Sequence, residues 1–347
     1  MAYSTISKSS LHFNTVTYVG NGSTNAITGV GFQPDIVWTK NRSATQNHLF
    51  YDAVRGAGYY LYPNLTNGQG GDGTSALDSF DSDGFTLDGG DDSNVNGQNG
   101  VAWSWKAGNS SGSANSDGDI SSTVSVNTTA GISIVKYTGN GSAQTVGHGL
   151  NAVPKWILLK RIPDNGYDWI VYHVEDSAGL YLNSIGYNND SSSNNIWFNG
   201  AAPTSSVFTT GTDGRIGGNG VNYMAYCFAE KQGFSKFGSF SGTGNVDGTF
   251  VYTGFKPALL LAKASSTNGG WQLYDNKRNI GNPTAKFLVP SSNAAESSGS
   301  NDIDFLSNGF KARTTANPGT TDSFIYMAFA AEPLVANVGA SIPATAV

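Results

Sequence analysis

Three times along the chain, a short apolar run follows a Gly, an apolar residue and a Pro, and ends on a Lys. The first is Gly31-Phe32-Gln33-Pro34-Asp35-Ile36-Val37-Trp38-Thr39-Lys40. The second joins Gly149-Leu150 to Pro154-Lys155-Trp156-Ile157-Leu158-Leu159-Lys160, and the third is Gly254-Phe255-Lys256-Pro257-Ala258-Leu259-Leu260-Leu261-Ala262-Lys263. Proline presets φ and lacks an N–H donor, so it suits the first residue of a strand. The run behind it has no polar alternation, which predicts a strand buried on both faces.

Further landmarks recur in the same order. An aromatic strand comes next: Leu49-Phe50-Tyr51-Asp52, Trp169-Ile170-Val171-Tyr172-His173 and Trp271-Gln272-Leu273-Tyr274-Asp275. Ser82-Asp83-Gly84-Phe85 and Ser307-Asn308-Gly309-Phe310 then read as hairpin turns, because Asp-Gly and Asn-Gly tolerate positive φ. Ser206-Val207-Phe208 stands in that place in the middle repeat. Each repeat closes on an aromatic and Ala strand around Ala102, Ala225 and Ala328. The prolines and these alanines are two independent rulers, and they give nearly the same intervals.

The pattern predicts an all-β chain of three tandem β-sandwich domains, jelly-roll or lectin-like. The expected segments are an N-terminal arm (1–14), repeat one (15–107), a Gly/Ser/Asn-rich linker (108–131), repeat two (132–233), repeat three (234–334) and an apolar tail (335–347). The linker composition is that of flexible coil, so repeat one is expected to pivot about residues 107–119. Lys231 to Phe237 joins repeats two and three tightly.

Composition agrees and removes alternatives. Only 13% of residues are charged, against roughly 25% in average proteins, while Gly and Pro are enriched. Long solvated helices need more charge than that. With 12% aromatic residues the chain is not disordered. Net charge is −6 and no basic cluster appears, which excludes nucleic acid as a partner. A single Cys227 gives neither a disulfide framework nor a cysteine zinc site. No apolar stretch approaches the roughly 20 residues of a membrane span, and no secretory signal pattern opens the chain.

The ordered signatures resemble a repeat common in tailed bacteriophages, especially marine and cyanobacterial ones. They are Gly-Phe-x-Pro-Asp-Ile-Val-Trp-x-Lys-Asn-Arg (31–42), Ser-Phe-Asp-Ser-Asp-Gly-Phe-Thr-Leu (79–87) and Val-Ala-Trp-Ser-Trp-Lys-Ala-Gly (101–108). Tyr-Met-Ala-Tyr-Cys-Phe-Ala-Glu (223–230), Ser-Asn-Gly-Phe-Lys (307–311) and Met-Ala-Phe-Ala-Ala-Glu-Pro (327–333) complete the set. The resemblance implies a non-enzymatic virion structural protein on the particle exterior, tail-fibre or adhesin-like. Its partners would be other virion proteins and a host-surface glycan or protein. A head decoration protein is the alternative, and an envelope-polysaccharide depolymerase a second one. Because phage fibres are usually threefold, a homotrimer is expected, with the uncharged apolar tail 335–347 at its interface.

Candidate chemistry is sparse. The Asp-rich stretch from Asp78 to Asp92 offers clustered oxygens, and Asp81, Asp83 and Asp88 are the candidates for a calcium ion, the one cofactor considered. The same residues also suit solvated turns. No pair of carboxylates is marked as flanking a glycosidase cleft, so no catalytic residue is assigned. Asp52-x-x-Arg55 and Asp275-x-x-Arg278 suggest a bidentate pair closing a turn. His48 and His173, both in the aromatic strand region, read as packing or rim residues. Tyr59, Tyr60, Tyr62, Tyr187 and Trp197 lie in polar surroundings and are the candidates for a ring surface that grips a sugar or a protein.

Overall fold

In the computed structural model, the described residues are 4–71, 76–89, 92–187 and 198–333. They form an all-β chain with two short 3-10 turns. Repeat one carries β1 (Phe13–Val19), β2 (Asn25–Thr28), β3 (Ile36–Asn41), β4 (Leu49–Asp52), β5 (Leu77–Asp81), β6 (Gly84–Leu87) and β7 (Asn99–Trp105). The connection carries β8 (Ser113–Asn115) and β9 (Ser122–Asn127). Repeat two carries β10 (Ile132–Thr138), β11 (Thr145–Gly147), β12 (Trp156–Arg161), β13 (Ile170–His173), β14 (Asp176–Tyr181), β15 (Val207–Thr209) and β16 (Asn222–Phe228). Repeat three carries β17 (Ser235–Ser241), β18 (Phe250–Tyr252), β19 (Phe255–Ala264), β20 (Gln272–Asp275), β21 (Thr284–Phe287), β22 (Ser297–Leu306), β23 (Gly309–Ala312) and β24 (Ser323–Pro333).

One inner order recurs in every repeat: β1-β7-β3-β4, then β10-β16-β12-β13 within a seven-stranded sheet, then β17-β24-β19-β20. The outer sheets are β2-β6-β5, β11-β15 and β18-β23-β22-β21. Between inner and outer layers lie separate apolar clusters. Val37, Tyr51 and Ala102 meet Ile27, Leu77 and Phe85 in repeat one, for example.

The opposite faces of the three inner sheets all meet in one core. Ile36, Trp38 and Trp103 of repeat one, Trp156, Leu158 and Tyr226 of repeat two, and Leu259, Leu261 and Met327 of repeat three belong to it. At its centre Trp105, Phe228 and Phe329 form a ring triad with centroids 6.4, 5.9 and 6.0 Å apart. They occupy the same register, opposite Ile36, Trp156 and Leu259. The apolar run Ile36–Asn41 is buried at every position because alternate residues serve different cores, one private to the repeat and one shared by all three.

The structure corrects two readings. The 108–131 segment is folded, not free coil: β8 and β9 extend the sheet of repeat two, and the Asp35 carboxylate accepts from the Ala107 and Asn109 amides at 2.7 and 3.1 Å. Backbone pairing supplied by β10 overrides a composition that, alone, reads as coil. The Ala ruler also slips by two residues in repeat three. Ala102 and Ala225 face Thr39 and Leu159, but Tyr326, not Ala328, holds that place opposite Ala262. Pro257 in turn sits at a bulge inside β19 rather than ahead of it; a proline cannot donate to the ladder, so bulges are where strands tolerate it. Within the arm, Ile6 is buried in the shared core.

A Gly-x-Gly loop follows the first strand of each repeat and locks in the same way. The amides of Gly22, Gly141 and Gly244 each donate over 2.8 Å to the carbonyls of Asn94, Gly217 and Gly319. A Cβ at Gly139 would lie 2.6 Å from the Gly218 carbonyl oxygen, so Gly139→Ala forces backbone to move. We expect it to cost about 1–3 kcal/mol, read from the denaturation midpoint. A midpoint equal to the parent's would mean that the loop is loosely held.

Candidate functional site

The buried polar groups are placed with the same threefold regularity. Lys40, Lys160 and Lys263 are the residues six beyond each proline, and all three are fully buried. Each ammonium donates to carbonyls of its own repeat and of a neighbour. Lys40 Nζ reaches Asn41 O at 2.7 Å and Asn293 O of repeat three at 3.3 Å. Lys160 Nζ reaches Tyr167 O, and Thr66 O of repeat one at 3.2 Å. Lys263 Nζ reaches Gly269 O at 2.7 Å and Ile185 O of repeat two at 2.9 Å. The ties run one to three, two to one and three to two, a closed cycle. Burial pulls each ammonium down to about 8.

A second cycle runs the other way, from the ends of β4, β13 and β20. Asp52 Oδ2 accepts from Tyr226 O–H of repeat two at 2.7 Å, and Asp275 Oδ2 from Trp103 Nε1 of repeat one at 3.0 Å. His173 Nε2 lies 3.2 Å from Tyr326 O of repeat three, while its Nδ1 accepts from the Glu175 amide at 3.0 Å. Burial lowers His173 to about 4, so at neutral pH the imidazole is uncharged and donates from Nε2. The Asp-x-x-Arg pairs form, with Nε to Oδ2 distances of 2.5 Å, but not as a bidentate fork. A second guanidinium nitrogen turns to the carbonyl of Phe50 or Leu273 instead.

The calcium candidates do not converge. Asp81 accepts from the hydroxyls of Ser79 and Thr86 at 2.7 and 2.8 Å. Asp83 accepts from the Gly29 and Gly31 amides at 3.1 and 2.6 Å, bracing the β5–β6 turn against the loop before β3. Asp88 lies beyond the end of β6. Among the described residues no three His, Cys, Asp or Glu side chains are gathered as a metal site. The ring candidates divide. Tyr60 and Tyr62 are half-buried, with centroids 5.1 Å apart and hydroxyls 3.3 Å apart, and pack on the core of repeat one. Tyr59 is half-buried as well. Tyr187 is exposed, and Trp197 falls outside the described residues.

A family described as a domain of unknown function (DUF7483) matches residues 8–333, which takes in all three repeats. The chain belongs to the DUF7483 family. No curated protein and no solved structure matches it.

Two features of this DUF7483 domain are not evident from sequence. An open cleft of about 470 Å³ separates the first 3-10 turn from the β5–β6 hairpin, lined by Leu11, His12, Phe32, Gln33, Lys106 and Asn109 among others. Burial and the nearby Lys106 both lower the basicity of His12. Behind Asn109, burial raises the Asp35 carboxyl to about 6. The second feature is a pair of rings on β18, Phe250 and Tyr252, 45% and 59% exposed. Their sequence, Phe-Val-Tyr, reads as core; the signal that marks them is that β2 carries no rings at the corresponding outward positions, Ala26 and Thr28.

Proposed function

We propose that this DUF7483 chain is a non-enzymatic structural protein of a bacteriophage virion exterior, tail-fibre or adhesin-like, that contacts the host surface. The observation that carries the reading is the cyclic closure of three repeats around one ring triad. Buried lysines, aspartates and a histidine serve that closure, each spent on a tie between repeats. A body so closed presents loops and outer sheets from a stiff, quasi-threefold scaffold, which suits a part mounted on a threefold fibre. The phage-like signatures from residue 31 to residue 333 support the same reading.

Gold-labelled antibody against the chain, applied to purified particles of the encoding phage, tests it. Label at the tail is the expected result. Label spread over the head shell would move the chain to the decoration alternative, and particles without label would overturn the virion reading. The expected homotrimer has its own test, because residues 335–347 lie outside the described ones: deleting them should lower the mass measured by light scattering from trimer to monomer. An unchanged mass would remove the tail from the interface.

A further inference from the structure

We propose that the outward face of β18 and β23 is a binding platform for an uncharged glycan, with Phe250 and Tyr252 as the rings on which sugar faces lie. The inference rests on the host-surface reading above and gives it a site and a ligand class.

The molecule contains its own control. Ile27, Val146 and Val251 point inward and pair with Phe85, Phe208 and Phe310, so the three outer edge strands share one register. The outward neighbours are Ala26 and Thr28 in repeat one and Phe250 and Tyr252 in repeat three, all exposed, whereas in repeat two Asn115 and Asp119 cover the places of Thr145 and Gly147. Repeat one is therefore built with small residues at the open positions where repeat three exposes two rings. Nothing about folding requires them, and leaving apolar rings in water is unfavourable. Residues two apart on one strand stand roughly 7 Å apart on the same face, so both rings present to one extended ligand. Gly309 pairs with Tyr252, and a Cβ there would lie 2.1 Å from the Val251 carbonyl oxygen, as one at Gly84 would lie 1.9 Å from that of Ile27, so the hairpin requires the glycine in both repeats.

The rim names the ligand class. Lys311 stands opposite Phe250, where the other repeats have Thr86 and Thr209. Lys311 Nζ and Arg313 Nη1 lie 2.6 and 3.4 Å from Asp247 Oδ1, and Arg313 Nε lies 3.5 Å from Asp304 Oδ2. Two cations and two carboxylates cancel, so the rim offers donors and acceptors without net charge. Sugar hydroxyls both donate and accept, and suit such a rim; a polyanion would need an uncompensated cationic one. A β-strand partner would gain little from an edge strand of three residues.

The test is affinity electrophoresis of the full chain through gels containing dextran, galactomannan or xylan, with alginate as the acidic counterpart. The parent should be retarded by at least one neutral polymer. Phe250→Ala and Tyr252→Ala should each weaken that retardation about tenfold in Kd, with unfolding midpoints unchanged because both rings are exposed. Parent migration unaffected by every neutral polymer, retardation by alginate alone, or full retardation of both variants would each overturn the proposal. So would a fall in solution mass in the Phe250→Ala/Tyr252→Ala double variant, which would make this face a protein interface. Particle labelling is independent: a labelled tail without glycan binding defeats this inference and leaves the virion reading standing, and glycan binding without labelled particles does the reverse.

Discussion

Trp105→Ala should destabilise all three repeats together, by about 3–5 kcal/mol. Trp105 belongs to repeat one, is 3% exposed, and its ring lies 5.2 Å from Phe13 as well as against Phe228 and Phe329. Truncation leaves a cavity bounded by all three repeats. The inner sheets around it are held by the lysine and aspartate cycles and cannot collapse freely into the gap, so the cost falls at the upper end of the range. Guanidinium unfolding followed by far-ultraviolet circular dichroism and by tryptophan fluorescence would read this. The expected result is one transition, coincident for both probes, moved to lower denaturant. A second transition keeping the parent midpoint would mean that repeats two and three fold without repeat one and that the shared core is not cooperative.

That coupling is the part of the architecture that the residues conceal. The unbroken runs at Ile36–Thr39, Trp156–Leu159 and Leu259–Ala262 announce strands buried on both faces, and they are. A run of apolar residues says that each face is covered, but not by what, so the second face reads as part of a private sandwich when it belongs to the common core. Lys40, Lys160 and Lys263 were legible as repeating landmarks. Their role was not, because a lysine closing a strand ordinarily reaches solvent; only the loops of the adjacent repeat, far away in sequence, turn these three into ties. The hairpin turns at Asp83-Gly84 and Asn308-Gly309 depend on local φ preferences and were readable directly.

Surface aromatics show the same limit from the other side. Tyr60 and Tyr62 sit among Gly, Pro and Asn, which suggests exposure, yet they fold onto Tyr51 and each other. Phe250 and Tyr252 flank a valine in a strand, which suggests core, yet they face water. Strand position decides: β18 is the outermost strand of its sheet, and its alternate residues have no layer above them. Edge or centre is a property of the whole topology and leaves no mark within three residues.

Between pH 8 and about 9 the chain should grow more stable as pH rises, and Lys160→Met should remove about a third of that slope. Burial holds Lys40, Lys160 and Lys263 at about 8, below the ordinary 10.5. In that window the unfolded lysines keep protons that the folded ones have released, so unfolding takes up protons and stability rises with pH. The limiting slope is about 1.4 kcal/mol per pH unit for each lysine. Below pH 8 both states are protonated and the cost of the buried charge is constant. Groups of the opposite sense bound the window from above: burial raises the Cys227 thiol and the Tyr137, Tyr226 and Tyr274 hydroxyls, so their ionisation in the unfolded chain lowers stability at higher pH. Methionine at 160 keeps the apolar stem and removes the titrating group. Thr66 O retains the Gly166 and Tyr167 amides, so of the two carbonyls that Lys160 serves it keeps other donors. Urea unfolding at half-unit pH intervals gives the slope. A parent whose stability is flat or falls from pH 8 to 9, or a Lys160→Met variant with the parent slope, would show that these ammonium groups are solvated and do not form the buried cycle.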